Sequence, residues 1–288
     1  MWFVLALASG LFQVLRNMTM KRIGHALDDT INVWGRFAFL VPFAALVSAW
    51  HGIPEIGEGF WWACLFFGIT QTAATLSLSR ALKVSDISLV TPIWKLSLIL
   101  VVVYGFLWLD ETPSLAGAAG VAVSLGGVYL INAERTRTSL WAPLLAIVTD
   151  PGQRYTLLSA AFLAPSVVLM KQLVLSSDPY FGTLIAYLFA TAVITPYTLY
   201  RSGKHFASIA RFWMDFLALG AFAAVSILLT AVAYTLTLSS YVEAVKQVEI
   251  LFALAVGYVV FHERARVRAI WPGSLTIMAG AAIVRLWG

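Results

Sequence analysis

Apolar runs about twenty residues long follow one another along nearly the whole chain, and no other feature limits its fold so strongly. A helix needs about 20 mostly apolar residues to cross the hydrocarbon of a bilayer, since each residue rises only about 1.5 Å. Ten such runs can be placed, at approximately 2–20, 32–50, 60–81, 87–108, 114–131, 155–175, 180–200, 212–236, 241–262 and 269–287. Most connections are short, so neighbouring helices are expected to be antiparallel, and no segment remains for a soluble domain. Composition agrees, because 60% of the 288 residues are hydrophobic and only 11% are charged. A globular chain carries about 25% charged residues, so these charges are too few to clothe a water-soluble fold. The expected class is an all-α integral membrane protein with ten transmembrane helices.

The longest connection, 132–154, holds Glu134, Arg135, Arg137 and the turn-forming Asp150-Pro151-Gly152. It separates two halves of five helices each, 1–131 and 155–288, and the halves look alike. Near the end of span four begins LWLDETPSLAGAAGVAVSLGGVYL and near the end of span nine VVFHERARVRAIWPGSLTIMAGAAIVRL, so aligning Glu111 with Glu263 superposes both helix ends. Pro42 and Pro196 take similar places in spans two and seven. Five is odd, so the second copy must cross the membrane upside down. Such inverted repeats are typical of secondary transporters.

Loop charges bear on the same expectation. Lys21, Arg22, Arg80, Lys83, Arg135, Arg137, Arg154, Arg201, Lys204, Arg211, Arg264, Arg266 and Arg268 all fall in odd-numbered connections, and the even-numbered ones hold no Lys or Arg. Cytoplasmic loops collect basic residues, which places the odd connections in the cytoplasm and both termini outside. The net charge of +5 therefore reads as an orientation signal, not as a nucleic-acid surface. The first run lacks a basic segment before Trp2 and a small-residue cleavage site, so it is expected to stay as a helix.

Other chemistries find little support. Cys64 is the single cysteine, which excludes an intrachain disulfide or a multi-cysteine metal site. His25, His51, His205 and His262 lie in connections or at helix ends without paired metal-ligand spacing, and no GxxxxGK[ST] phosphate loop occurs. Neither an enzyme nor an ATP-driven pump is expected, and no cofactor.

Charges inside the spans carry the functional reading. Arg16, Arg36, Lys95, Lys171, Lys246, Glu243 and Glu249 lie within apolar runs. Each costs about 2.5–3.5 kcal/mol at a helix centre on insertion scales, so such groups mark sites or pathways by default. Arg16 and Arg36 stand close enough to the cytoplasmic ends to snorkel. Lys171 is near the outer end of span six, while Lys95, Lys246 and Glu249 are deepest. Lys95 and Lys246 differ by 151 and are repeat-equivalent within one residue. Glu243, Lys246 and Glu249 are spaced i, i+3, i+6, so adjacent members can touch and Lys246 is expected between both carboxylates. Either glutamate, Glu243 or Glu249, then becomes a candidate for a coupling proton. Trp94, Gln71 and Tyr234 complete the candidate lining, since aromatic faces cover cations and amides orient polar groups. Pro92, Pro165 and Pro272 are candidate kinks. Ala116, Gly120, Ser124, Gly273 and Gly280 suit close helix contact, either internal or in a homodimer.

This pattern resembles the drug/metabolite transporter (DMT) superfamily, specifically its EamA-type ten-helix permeases. The resemblance rests on the paired repeats, on Glu111 and Glu263 ending the fourth helix of each half, on the Gly/Ala-rich helix that follows each, and on Arg36. It implies a cavity opened alternately to each side of the membrane, and no particular substrate. It also implies cytoplasmic termini, the reverse of what the loop charges give. The expected function is a secondary active transporter in the plasma (inner) membrane, moving a small polar metabolite, anionic or zwitterionic, with proton coupling. The alternative is a flippase for a phosphate-bearing lipid or lipid-linked sugar.

Overall fold

The computed structural model describes residues 1–24, 27–84, 94–95, 97–136, 151–252 and 264–288. Its main helices are α1 (Trp2–Gly24), α2 (Asp29–Ala38), α3 (Leu40–His51), α4 (Phe60–Val84), α5 (Ser97–Leu109), α6 (Leu115–Thr136), α7 (Pro151–Leu175), α8 (Pro179–Ser202), α9 (Trp213–Tyr234), α10 (Ser239–Lys246) and α11 (Arg264–Trp287). No strand occurs among the described residues. Each apolar run of the sequence overlaps at least one of these helices. By length and composition, α1, the α2–α3 pair, α7 and the stretch Pro179–Tyr234 holding α8 and α9 are sufficient to cross a membrane. Pro92, His25, Glu263, His262 and positions 137–150 of the central connection lie outside the described residues.

Local chemistry sets several boundaries. Asp178 starts α8 as an N-cap, its Oδ1 accepting the amides of Tyr180 at 2.6 Å and Phe181 at 2.7 Å, with Pro179 following. That carboxylate satisfies two of the amides every helix start leaves open, and proline fits the next position because it has no amide to lose. The second run breaks into α2 and α3 at Phe39. Pro42 explains the break: it cannot donate to the carbonyl four residues back, and its ring crowds that carbonyl at Ala38. The carbonyl of Phe39 then lies where a Cβ on Gly220 of α9 would stand only 2.1 Å away, so glycine is required there. On the opposite side of the break Gly35 accepts the Phe216 ring in the same manner.

Two compact units partition the chain. One comprises Met1–Leu76 and Ser166–Leu236, the other Ser77–Pro165 and Thr237–Gly288. Each unit draws helices from both halves of the sequence, so the seam at 132–154 is not a boundary between compact bodies. Repetition describes sequence order and compactness describes contact, and the two need not coincide.

In the first unit α1 packs along α9 through buried hydroxyls. Ser9 Oγ lies 2.7 Å from Thr230 Oγ1 and donates to the Ser226 carbonyl at 2.8 Å, while Ser226 Oγ donates to the Ser9 carbonyl at 3.0 Å. Ile23, Leu27, Ile31, Phe216 and Leu219 form an apolar cluster near the other end of the same helices. The second unit is built on α6 against α11. A Cβ on Gly127 would fall 2.7 Å from the Gly273 carbonyl, and one on Gly280 would fall 2.5 Å from the Ser124 amide. The small residues that suggested either an internal contact or a dimer seam are therefore used inside this unit, where they bring two backbones together.

Outward-facing side chains are strongly apolar. Leu115 is 90% and Trp50 89% exposed. Trp50, Trp61, Trp62, Trp108, Trp213 and Trp287 are all exposed near helix ends, as expected of rings at the boundary between lipid and water.

Candidate functional site

The second unit gathers Trp94, Lys95, Glu243, Lys246 and Glu249. Lys95 directly precedes α5 and is 8% exposed, and Glu249, just beyond α10, is equally buried. Lys95 Nζ donates to Glu249 Oε1 at 3.0 Å, closing an ion pair between residues 154 positions apart. The indole of Trp94 lies beside it, with Lys95 Nζ 4.9 Å from the ring centroid. Lys246 Nζ donates to Glu243 Oε1 at 2.8 Å, one turn back on α10.

The spacing of the sequence put Glu249 on Lys246; the structure pairs it with Lys95 instead. The reason lies in the backbone. Beyond Lys246 the α-helix lapses into a turn at Gln247 and Val248: the amides of Gln247, Val248, Ile250 and Leu251 donate to the carbonyls three residues back, at 3.2, 3.0, 3.1 and 2.9 Å, before four-residue bonding returns with Phe252 donating to Val248 at 3.4 Å. The α-helix is interrupted at Gln247 and Val248 and resumes at Glu249, so residues on the two sides of the break need not keep one α-helical register. A change of winding inside a membrane run is characteristic of helices that bind substrate or ions in transporters.

Two polar atoms in this region have no hydrogen-bond partner. Trp94 Nε1 is a buried donor without an acceptor, and Gln247 Oε1 is a buried acceptor without a donor. Gln247 is 5% exposed, and its Nε2 donates to the Glu243 carbonyl at 3.3 Å. Buried polar groups are paired in the great majority of cases; Ser124 Oγ and Ser240 Oγ of the same unit are further exceptions.

The first unit holds Arg16, Arg36, Gln71, Lys171 and Tyr234. Snorkelling does not describe Arg16: α1 continues to Gly24, and the side chain is 6% exposed, with Nη2 donating to Asn17 Oδ1 at 3.0 Å. Arg36 occupies the last turn of α2, just before the Phe39 break, with Tyr187 as a hydrogen-bonding neighbour and its guanidinium 5.7 Å from the Phe37 centroid. Gln71 Oε1 accepts from Ser166 Oγ at 2.6 Å, next to Pro165 of α7. Lys171 and Tyr234 are buried at 7% and 3% exposure. These five do not assemble into one cluster through any of the contacts described.

One further carboxylate was legible in the sequence, but its task was not. Glu111 is 5% exposed and accepts from the Ser239 amide at 2.9 Å and from Ser239 Oγ at 2.7 Å. It thus caps α10 from the turn after α5, where Asp110 takes φ 52°. Tyr241 OH strengthens the same clasp by accepting the Ser114 amide at 2.9 Å, its ring seated on Gly117. Sequence spacing cannot link 111 to 239, although Ser239-Ser240 is the sort of pair that begins a helix. Among the described residues no three His, Cys, Asp or Glu side chains gather as metal ligands do.

The buried ion pair and the indole beside it set two full charges and an aromatic face at one place in the second unit. Comparison with known proteins supplies the family. The model of the EamA-like transporter family matches residues 1–133 and 151–286. The chain belongs to that family. An uncharacterized transporter in the cobO 3′ region of Sinorhizobium sp. is 31% identical over 134 residues, covering 45% of this chain and 95% of that protein. A crystal structure of a protein 14% identical superposes on 99% of the chain and 97% of its own, with a TM-score of 0.74, which bears on fold alone. This EamA-like protein is therefore an integral membrane transporter, a member of the drug/metabolite transporter superfamily.

Proposed function

We propose that the protein is a secondary active transporter of a small polar metabolite, anionic or zwitterionic, working by alternating access across the plasma membrane. The observation that carries this reading is the Lys95–Glu249 pair, buried at 3.0 Å where the helix changes its winding. Charges at such a depth are retained for a pathway or a site. The two separate family matches, 1–133 and 151–286, support two inverted copies of a five-helix unit. Loop charges support odd connections in the cytoplasm and both termini outside.

Glu249 and Glu243 are the carboxylates placed to carry a coupling proton, each already held by a lysine that a solute could claim. The test is uptake into liposomes containing the purified protein, with and without an imposed pH gradient. Uptake that responds to the gradient supports proton coupling, and indifference removes the proton from the mechanism. Lys95→Ala, Lys246→Ala and Glu249→Gln should each lower uptake at least tenfold; parent-like rates in all three would sink the site. A reporter active only in cytoplasm, fused at Gly288, should be silent.

A second reading, a flippase for a phosphate-bearing lipid, uses the same lysines on a head group. Scrambling of a labelled phospholipid in the same liposomes, without metabolite uptake, would favour it. Self-association into a homodimer is part of the proposal, and is measured by mass photometry in detergent.

A further inference from the structure

The connection between α8 and α9, in the first unit, does more than turn the chain round. Residues 203–212 fold into a 3₁₀ turn (Gly203–His205), one α turn (Phe206–Ile209) and a second 3₁₀ turn (Ala210–Phe212). Phe206, Ile209 and Phe212 all pack on the apolar cluster of Ile23, Leu27, Ile31, Phe216 and Leu219. Trp34 holds Phe206 from another side, with ring centroids 4.8 Å apart and planes at 68°, and its own Nε1 donates to Thr195 Oγ1 at 3.0 Å. Ser202 Oγ donates to the Asp28 carboxylate and ties the end of α8 to the start of α2. One side of the connection is thus fastened to the unit.

What remains outside is basic. Arg201, Lys204, His205 and Arg211 are exposed, and Ala207 and Ala210, exposed beside them, add little bulk. Among the described residues no carboxylate pairs with Arg201, Lys204 or Arg211. Three carboxylates share this end of the unit, and all are held back. Asp215 pairs with Arg22 at 3.3 Å, and that arginine side chain is still 79% exposed. Asp28 and Asp29 are half-buried, Asp28 being engaged by Ser202. The cations therefore reach further out than the acids.

Neighbouring side chains set the level of these cations in the bilayer. Leu199 and Tyr200 before the basic stretch, and Trp213, Met214 and Leu217 after it, are all exposed. Tyrosine and tryptophan at the ends of spanning helices lie at headgroup depth. The basic side chains emerge where acyl chains give way to headgroups. A slack loop would satisfy the rule of basic connections equally well. A loop pinned by three apolar side chains and a carboxylate presents its cations already in place, so less order has to be imposed when a ligand binds.

Arginine forks fit phosphate oxygens in pairs, and each basic residue beside an anionic bilayer surface is worth about fivefold in affinity. A free phosphate would engage the cations and leave the flanking apolar side chains untouched. A phospholipid offers a phosphate to the first and acyl chains to the second. Unpaired cations also discriminate between headgroups, because a choline neutralises its own phosphate and a glycerol does not.

We propose that the α8–α9 connection is a binding site for an anionic phospholipid, its headgroup phosphate held by Arg201, Lys204 and Arg211 and its acyl chains lying against Tyr200 and Trp213. The site uses none of the residues around the Lys95–Glu249 pair and is independent of what the transporter carries.

The test uses the full-length protein in detergent, with native mass spectrometry counting bound lipid. The probes are dioleoyl phosphatidylglycerol and dioleoyl phosphatidylcholine, which share their chains and differ in headgroup. Phosphatidylglycerol should be retained at concentrations at least tenfold below those that phosphatidylcholine needs. Arg201→Gln/Lys204→Gln/Arg211→Gln, confined to exposed side chains, should lower its affinity about a hundredfold. Lys204→Glu alone should lower it about 25-fold, and decides the matter if the triple variant does not fold. Arg264→Gln/Arg266→Gln/Arg268→Gln removes as much charge from another connection and should leave the tightest site as in the parent. Equal retention of the two lipids overturns the proposal, and so does parent-like affinity in the triple variant or in Lys204→Glu. A loss of the same size in the control variant marks a diffuse charge effect and overturns it too. Displacement of the lipid by millimolar glycerol 3-phosphate would reveal a site for free anions, and would remove the lipid.

Discussion

Two contacts inside the second unit bring distant parts of the chain together by opposite means. Along α6 and α11 the side chains have been reduced to almost nothing, so that backbones meet at Gly127–Gly273 and Gly280–Ser124. At Lys95–Glu249 two long side chains span the gap, each bearing a full charge. Lipid is as apolar as leucine, so the first contact gains from dispersion and close fit, with little hydrophobic drive. It works in one arrangement and fails in others. The second contact gains little in net terms, because desolvation offsets most of the attraction. It can therefore be exchanged for an equivalent contact with a ligand, which a glycine seam cannot. Rigidity and exchangeability are separated within one compact body.

The largest effect should come from unbalancing the exchangeable contact. Lys95→Met alone removes one partner of the buried pair, and should cost about 3–5 kcal/mol of stability, measured by denaturant titration in mixed micelles. Lys95→Met/Glu249→Leu should recover to within about 1 kcal/mol of the parent, since a well-packed apolar pair replaces a buried ionic one at little cost. A double variant as unstable as the single one would show that the pair is structural and would erase the contrast drawn above. Next comes the fixed contact: Gly127→Val pushes two methyl groups against the Gly273 carbonyl and should cost about 3 kcal/mol, with no rescue by any second-site charge.

Smaller effects sharpen the comparison. Glu111→Ala leaves the Ser239 amide without its acceptor, and should lose about 1–3 kcal/mol, while Glu111→Gln retains one acceptor and should lose less. Ser9→Ala removes one hydroxyl from the α1–α9 seam. Interhelical hydrogen bonds of this kind average about 0.6 kcal/mol, so its melting curve should lie close to that of the parent.

Much of this was legible from residue order. Apolar runs gave the helices, and depth within them singled out Lys95, Lys246 and Glu249. The family resemblance, carried by Glu111 and its surroundings, agrees with the family match. What escaped was whatever depends on contacts between helices. Period and spacing report which residues share a face of one helix, so they paired Glu249 with Lys246 and were silent about Lys95. They also assume an unbroken α-helix, and that assumption failed after Lys246 and again at Phe39. The second failure had a visible cause in Pro42. The first had none, because no proline or glycine lies between Lys246 and Leu251. Arg16 was assigned to a water-facing end for a related reason: the apolar run fades near residue 20, yet the backbone stays helical to Gly24.

The interruption after Lys246 has a mechanical consequence. At Gln247 and Val248 the α-helix lapses into a turn, and it resumes at Glu249. A three-residue hydrogen bond brings each residue round by about 120° against about 100° in an α-helix, so the break is a swivel set beside the residue that grips Lys95.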